Sequence, residues 1–308
     1  MAKARSKSVD YLVYFMIRLT VCVVQALSFE SACGLARILA GIAYRIDRRH
    51  REVARENLQH AFPGYSEARI DAIIRGVYCH FLTLIVEIVH LPRKLRVNTW
   101  KKYMVLQNKE LIVGELLAGR AVMIVTGHFG NWEMSGYLLG ANGFQTFAIA
   151  RALDNPYLDR FLLRFRQGTG QIILDKNRDF ERIVQVLEDK GTLATLADQD
   201  AGQRGEFVQF FGRPASTHKA VALLALRHQA TLLVAGARRV GEPMLYELEV
   251  ADVIRPEEYA GQPDAVNRIT QRFSTALEGL IRKAPEQYLW LHRRWKHQPR
   301  ERRARSVA

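Results

Sequence analysis

An α/β fold, with a mostly parallel sheet covered by helices on both faces and a helical, membrane-attached N-terminal region ahead of it, is the architecture this chain predicts. Three observations carry that reading. After Trp100, short β-branched apolar runs alternate with longer helical stretches, the pattern of strand–helix–strand units. Before Trp100 the apolar residues recur at helical spacing throughout. At the start, the run from Tyr11 to Phe29 is almost unbroken and follows Lys3, Arg5 and Lys7. The 308 residues contain no Ser/Gly-rich linker and no internal repeat. The simplest division is therefore an anchor over 1–30 and one body over 31–308, with a helical lead-in at 31–100 and an α/β core at 101–308.

The apolar run covers roughly nineteen residues, or roughly 28 Å as a helix, barely a bilayer thickness. Arg18 in its middle would cost about 2.5–3.5 kcal/mol at the bilayer centre. No Ala-x-Ala cleavage site follows, and the basic residues Arg37, Arg45, Arg48, Arg49 and Arg51 lie after the segment. A single span with the body exported would break the positive-inside tendency, so a tilted or interfacial anchor with the body on the cytoplasmic side is expected. The bland alternative is an ordinary buried first helix.

A second helix is expected from Ala32 to Ile46, lying against the anchor, and Asp47-Arg48-Arg49-His50-Arg51 reads as a solvated charge run. Helical spacing resumes at Val53, Leu58 and Phe62 and stops at Pro63-Gly64. Ser66 reads as the N-cap of a long helix to about Val89, with a core stripe of Ile70, Ile73, Ile74, Val77 and Phe81 and a stop at Pro92. In the body, strands are expected at Ala121–Thr126, Thr146–Ala150, Ile172–Leu174, Thr192–Ala197 and Thr231–Ala237. A short extended piece at Val208–Phe211 and an antiparallel edge strand at Leu245–Val253 complete the set. Helices are expected at Leu111–Gly119, from Trp132 to Gly140, from Asp154-Asn155-Pro156 through Phe165, and at Asp179–Lys190, Thr217–Gln229 and Ala265–Arg282.

Composition bounds the partners. With 48% hydrophobic and 25% charged residues the chain is globular, and its formal charge of +14 asks for something anionic. Nucleic acid, an anionic membrane face, a phosphorylated substrate and an acidic carrier protein all qualify. Cys22, Cys33 and Cys79 are unevenly spaced, with neither a CxxC pair nor metal-ligand spacing to histidines, so no metal site is expected from them.

The candidate chemistry lies at the strand ends. After the strand Val122–Thr126, Gly127 and Gly130 bracket His128, and Asn131 is placed to cap a helix opening with Trp132 and Glu133. On one continuous helix His128 and Glu133 would point roughly 140° apart, but the intervening loop can bring them together. Glu133 would then hold one imidazole nitrogen and leave the other free as a base. Arg151, Asp198 and Asp200 also follow strands and should share the same sheet edge, where open α/β sheets bind ligands. Taken singly, Arg151 suits a helix cap, and the two aspartates suit a polar turn or a hard cation.

These residues, in order along nearly the whole chain, resemble the lipid A biosynthesis acyltransferases, the late lauroyl/myristoyl transferases within the lysophospholipid acyltransferase superfamily. The matching pieces begin with Tyr44-Arg45-Ile46-Asp47-Arg48-Arg49-His50, Asn57-Leu58 to Phe62-Pro63, and Gly127-His128-Phe129-Gly130-Asn131-Trp132-Glu133 with its His-x4-acidic spacing. They continue with Arg151 and Asp154-Asn155-Pro156, Asp198-Gln199-Asp200, Phe210-Phe211-Gly212 with Ala215-Ser216-Thr217, and Gln287 through Lys296. The resemblance implies transfer of a fatty acyl chain from acyl carrier protein to a hydroxyl of a 3-hydroxyacyl chain on a lipid A precursor, at the bacterial inner membrane and without a cofactor. It implies His128 as general base, Glu133 as its orienting partner, and Arg166 and Asp198 among the functional positions. Arg166 would meet a phosphate or support the loop, with Asp198 positioning it, and Arg151 would be a second anion ligand. Backbone amides at the start of the Asn131 helix are expected to stabilise the oxyanion. Arg293, Arg294 and Lys296, with Arg300, Arg302, Arg303 and Arg305, would meet acidic carrier, anionic lipid or acceptor phosphates. A sister enzyme acting on another glycolipid, such as a mannosylated phosphoinositide, would use the same residues. A basic nucleic-acid-binding protein would explain the charge but neither the apolar N-terminus nor the strand-end residues.

Overall fold

The computed structural model describes residues 6–299 apart from 97, 169 and 177. Four helices come first: α1 Lys7–Ala26, α2 Phe29–Ile46, α3 Arg48–Ala61 and α4 Glu67–Lys94. Each of the last three starts where a short polar side chain satisfies an otherwise orphaned amide. Ser28 accepts from Ser31 N, Asp47 from His50 N and Ser66 from Arg69 N. The charge run at Asp47–Arg51 is the cap and first turn of α3, with Arg48, Arg49 and His50 exposed as a solvated run should be. Pro92 does not end α4, which continues to Lys94. A proline so near a C-terminus breaks little of the helical ladder, and Leu95 N still reaches Leu91 O at 2.8 Å.

The body follows as β1 Met104–Leu106, α5 Lys109–Leu117, β2 Val122–Thr126, α6 Trp132–Ala141, β3 Thr146–Ala150, α7 Pro156–Gln167, β4 Gln171–Asp175, α8 Phe180–Glu188 and β5 Thr192–Leu196. It continues with β6 Glu206–Phe210, β7 Arg213–Thr217, α9 Ala220–His228, β8 Thr231–Arg239, β9 Tyr246–Ile254 and α10 Ala265–Lys283. The main sheet has seven strands in the order β1-β9-β8-β2-β5-β3-β4, parallel except where β9 runs against β8. The mostly parallel sheet is as the sequence predicts. The edge expected at Leu245–Val253 is interior instead, because the short β1, missed in the sequence, pairs outside β9. The expected helix from Thr217 also starts late. Phe211 and Gly212, with φ of 51° and 73°, make a tight turn that folds Arg213–Thr217 back on β6 as a hairpin.

Alternation along β2 sorts the two faces. Met123 and Val125 enter a core with Leu193, Leu232, Phe273 and Leu277, under α8, α9 and α10 and joined by α3 and α4. Ile124 faces the other side, where Met134 and Leu138 of α6 pack with Tyr246 and Leu248. Met123, Phe273 and Met134 are fully buried, each contributing about 1.5–3 kcal/mol.

The helix α1 stands apart. Leu12, Phe15, Met16, Leu19 and Val23 are exposed, and only 6% of its apolar window is buried. Both α1 and α4 are long and apolar enough to cross a membrane, but half of the α4 window is packed inside the protein. The inner side of α1 touches α7: Tyr14 meets Tyr157 and Phe161, the Arg18 guanidinium sits 4.7 Å from the Phe161 ring centre, and Asn155 Nδ2 donates to Asp10 O at 2.8 Å.

Candidate active site

The site is built where β2 and β5 end side by side. Thr126 pairs with Leu196, so the residues two further on, His128 and Asp198, stand at the same level beyond adjacent parallel strands. The ring nitrogen Nδ1 of His128 lies 2.9 Å from Asp198 Oδ1, and the His128 amide donates to Asp198 Oδ2 at 2.8 Å. One carboxylate therefore fixes both the backbone and the ring. Gly127 makes room for it: a side chain there would press on Asp198, 3.1 Å from its Cγ. With Nδ1–H donated to the carboxylate, Nε2 carries the free lone pair.

The loop is held from behind. Gly130 has φ of 58°, and a Cβ at that position would overlap the Ala237 carbonyl oxygen. Gly130 N donates to Gln287 O at 3.0 Å and Asn131 N to Ala237 O at 2.9 Å. His80 Nε2 reaches Gly130 O at 3.2 Å, while its Nδ1 accepts from Arg239, whose guanidinium is paired with the fully buried Glu87. Asn131 Oδ1 accepts from Met134 N and caps α6 as expected from sequence. Since the Gly130 and Asn131 amides are spent, the donors left at this helix start are the first-turn amides of Trp132 and Glu133.

The sequence expectation paired Glu133 with the imidazole and Asp198 with Arg166; in the structure the partners are exchanged. Glu133 accepts from Arg166 Nε at 3.0 Å and again from Nη2, and from Trp132 Nε1 at 3.2 Å. The physical reason is the fold: Glu133 belongs to α6, which packs against α7 and its Arg166, whereas the strand register delivers Asp198 to His128. Trp132 stands edge-on to the imidazole with centroids 5.1 Å apart. Arg151 is not at the imidazole. It sits on the rim of the same cleft, 68% exposed and paired with Asp154.

Electrostatics favour a charged pair. Burial works against the imidazolium of His128, but the Asp198 charge and hydrogen bond outweigh it and raise its pKa above 6.5. Burial would raise the Asp198 carboxyl, yet His128 and its hydrogen bonds hold it below 3.8. Beneath them, Arg294 is only 2% exposed. It donates to Ser216 O and Thr217 Oγ1, so it is not the surface cation that its Arg-rich setting suggests. The neighbouring Asp200 takes His297 Nδ1 at 2.6 Å. Among the described residues no group of three or more His, Cys, Asp or Glu side chains is arranged to hold a metal. Residues 300–308, with the last tail arginines, lie outside the described residues.

Two hollows meet at this point. An open cleft has His128, Trp132, Arg151, Arg166, Lys176 and His218 on its walls. A narrow apolar gallery runs beneath α6 along the sheet, lined by the small residues Gly136, Ala148 and Ala194. Trp132, Glu133 and Arg166 border both, so the Glu133–Arg166 pair stands at the junction. The gallery was not legible in the sequence. Its one signal is the run of alanines whose strands pair in register, Ala148 with Ala194.

Comparison with known proteins points to one family over nearly the whole chain. The family model described as bacterial lipid A biosynthesis acyltransferase matches residues 2–297. A lipid A biosynthesis palmitoleoyltransferase of Escherichia coli (strain K12) is 27% identical over 278 residues, covering 89% of this chain and 87% of that protein. A lipid A biosynthesis lauroyltransferase of the same organism is 25% identical over 276 residues, covering 88% and 86%. A phosphatidylinositol mannoside acyltransferase of Mycolicibacterium smegmatis is 29% identical over a shorter stretch of 119 residues, 37% of this chain and 39% of that protein.

Proposed function

The chain belongs to the bacterial lipid A biosynthesis acyltransferase family, and from that premise we propose that it moves a fatty acyl chain from acyl carrier protein onto a hydroxyl of a 3-hydroxyacyl chain of a lipid A precursor. The observation that carries the reading is a histidine whose Nδ1 is held by a buried carboxylate while its other nitrogen borders a cleft joined to an apolar gallery. An alcohol is a poor nucleophile until a positioned base takes its proton. His128 Nε2 takes that proton as the oxygen attacks the thioester carbonyl, and Asp198 stabilises the imidazolium that forms. The tetrahedral oxyanion is met by the Trp132 and Glu133 amides at the positive end of α6. Collapse breaks the carbon–sulfur bond, the thiolate leaves with the proton from His128, and an ester and a free thiol remain. Glu133 acts at one remove, holding Arg166 at the junction, where the guanidinium steers the donor carbonyl and an acceptor phosphate. The gallery takes the acyl chain. The cleft, with Arg151 on its rim, takes the phosphorylated acceptor.

The exposed apolar face of α1 and the net charge of +14 support attachment to the anionic inner membrane, with the body on the cytoplasmic side, where an acidic carrier protein would dock. The test is transfer from acyl carrier proteins of graded chain length to a tetra-acylated lipid A precursor. Activity is expected in the wild type and a loss of about 1,000-fold or more in His128→Ala. Full activity without the imidazole would overturn the mechanism. Transfer to a mannosylated phosphoinositide and to no lipid A precursor would reassign the acceptor.

A further inference from the structure

Arg18 poses a problem that the active site does not solve. It lies within an apolar helix, it is partly buried, and no carboxylate pairs with it among the described residues. It lines a groove between α1, α4 and α7, together with Arg160 and Arg164. None of the described residues lining that groove is acidic. Arg160 Nε donates to Pro156 O, and its guanidinium lies 5.2 Å from the Tyr157 ring centre, as Arg18 lies against Phe161. Stacking on a ring partly offsets the cost of the partly buried Arg18, but it supplies no counter-charge to the three guanidinium groups that share the groove, two of them on its exposed α7 wall.

We propose that this groove binds one anionic phospholipid of the bilayer, with its phosphate held by Arg18, Arg160 and Arg164 and its chains against the apolar side of α1. Guanidinium forks match phosphate oxygens, and the Tyr14 and Tyr157 hydroxyls offer further donors on the same walls. The depth is consistent. The exposed arginines of α7 cannot enter hydrocarbon, so the Arg18 level of α1 sits at the headgroup boundary and the outward Leu12, Phe15 and Leu19 meet the bilayer there. The occupant is not the reacting glycolipid, because α7 stands between the groove and His128, with Leu162 touching both hollows. A bound lipid would brace α7 and, through it, Arg166. The inference rests on the membrane-attachment part of the reading above.

The test uses the full chain in a neutral maltoside detergent, titrated with phosphatidylglycerol and observed by native mass spectrometry, with flotation on phosphatidylglycerol-containing vesicles in parallel. One saturable equivalent is expected, and it should weaken roughly 10-fold or more in Arg18→Gln/Arg160→Gln/Arg164→Gln. The control Arg45→Gln/Arg48→Gln/Arg49→Gln should keep it, and circular dichroism verifies the fold of both. Equal weakening in both variants, or binding without saturation, would overturn the site while leaving membrane attachment standing. Failure of the wild type to float would overturn both. Saturable binding of the tetra-acylated precursor that the Arg18/Arg160/Arg164 variant loses, with no binding of phosphatidylglycerol alone, would assign the groove to the acceptor and overturn the proposal.

Discussion

Asp198 is the residue that makes His128 more than a histidine in a loop. It is buried and takes hydrogen bonds from both the ring and the amide of its partner. Asp198→Asn should leave the loop in place yet favour the wrong tautomer, lowering kcat by roughly 100- to 10,000-fold in an acyl-transfer assay. With the neutral imidazole as the proposed base and its pKa raised above 6.5 by Asp198, wild-type kcat/KM should rise with pH along an acidic limb, and that limb should move to lower pH in the variant. Stability follows the same signs. The raised His128 pKa contributes stability that is fully present below pH 6.5 and lost as pH rises through the folded value. The lowered Asp198 pKa contributes above pH 3.8 and is lost as pH falls through its folded value. The Tm difference between wild type and Asp198→Asn should therefore be widest between pH 3.8 and 6.5, and a pH-independent difference would contradict the ion pair.

At the scale of elements, α6 and the middle of the sheet decide what fits the gallery. Ala148 and Ala194 face it from paired strands, where residues of ordinary size would close it. Ala148→Phe fills that space with a ring and should shift the preferred donor to a shorter chain, with kcat/KM for the longest accepted donor falling about 10-fold or more. Shorter donors should be nearly unaffected, which a general loss of folding could not produce. The aromatic motifs far from His128 work at this scale too. Phe62, Phe211 and Trp290 pack edge to face, and Asn57 Nδ2 donates to Trp290 O at 2.7 Å, which seats the C-terminal segment that carries Arg294 under Asp198.

For the whole molecule, α1 exposes most of its apolar surface, the face that the proposed membrane attachment would cover. Deleting residues 7–26 should release the body from the membrane fraction, read by fractionation and flotation. The same deletion removes the Tyr14, Arg18 and Asp10 contacts to α7, so activity should also fall, roughly several-fold, even on detergent-dispersed acceptor. Full activity of the truncated body would show that α7 holds Arg166 without help from α1.

Much of this was legible in the residues. The helix starts at Ser66 and Asn131, the strand–helix alternation and the glycines around His128 are local features, encoded by neighbours a few positions apart, whereas the caps at Ser28 and Asp47 came only with the structure. The ordered motifs identified the family and nominated His128, Glu133, Arg166 and Asp198. The pairing among those four was not legible, because His128 and Asp198 are 70 residues apart and meet only through the insertion of β5 between β2 and β3. For the same reason the sequence could not reveal that Arg294 is buried, that β1 covers β9, or that alanines on paired strands leave a gallery. By itself the sequence determined most of the elements, though neither β1 nor β7, and with them the mostly parallel sheet, the family and the chemical groups available. The tertiary structure decided which groups touch, because strand order and register join residues that periodicity cannot connect.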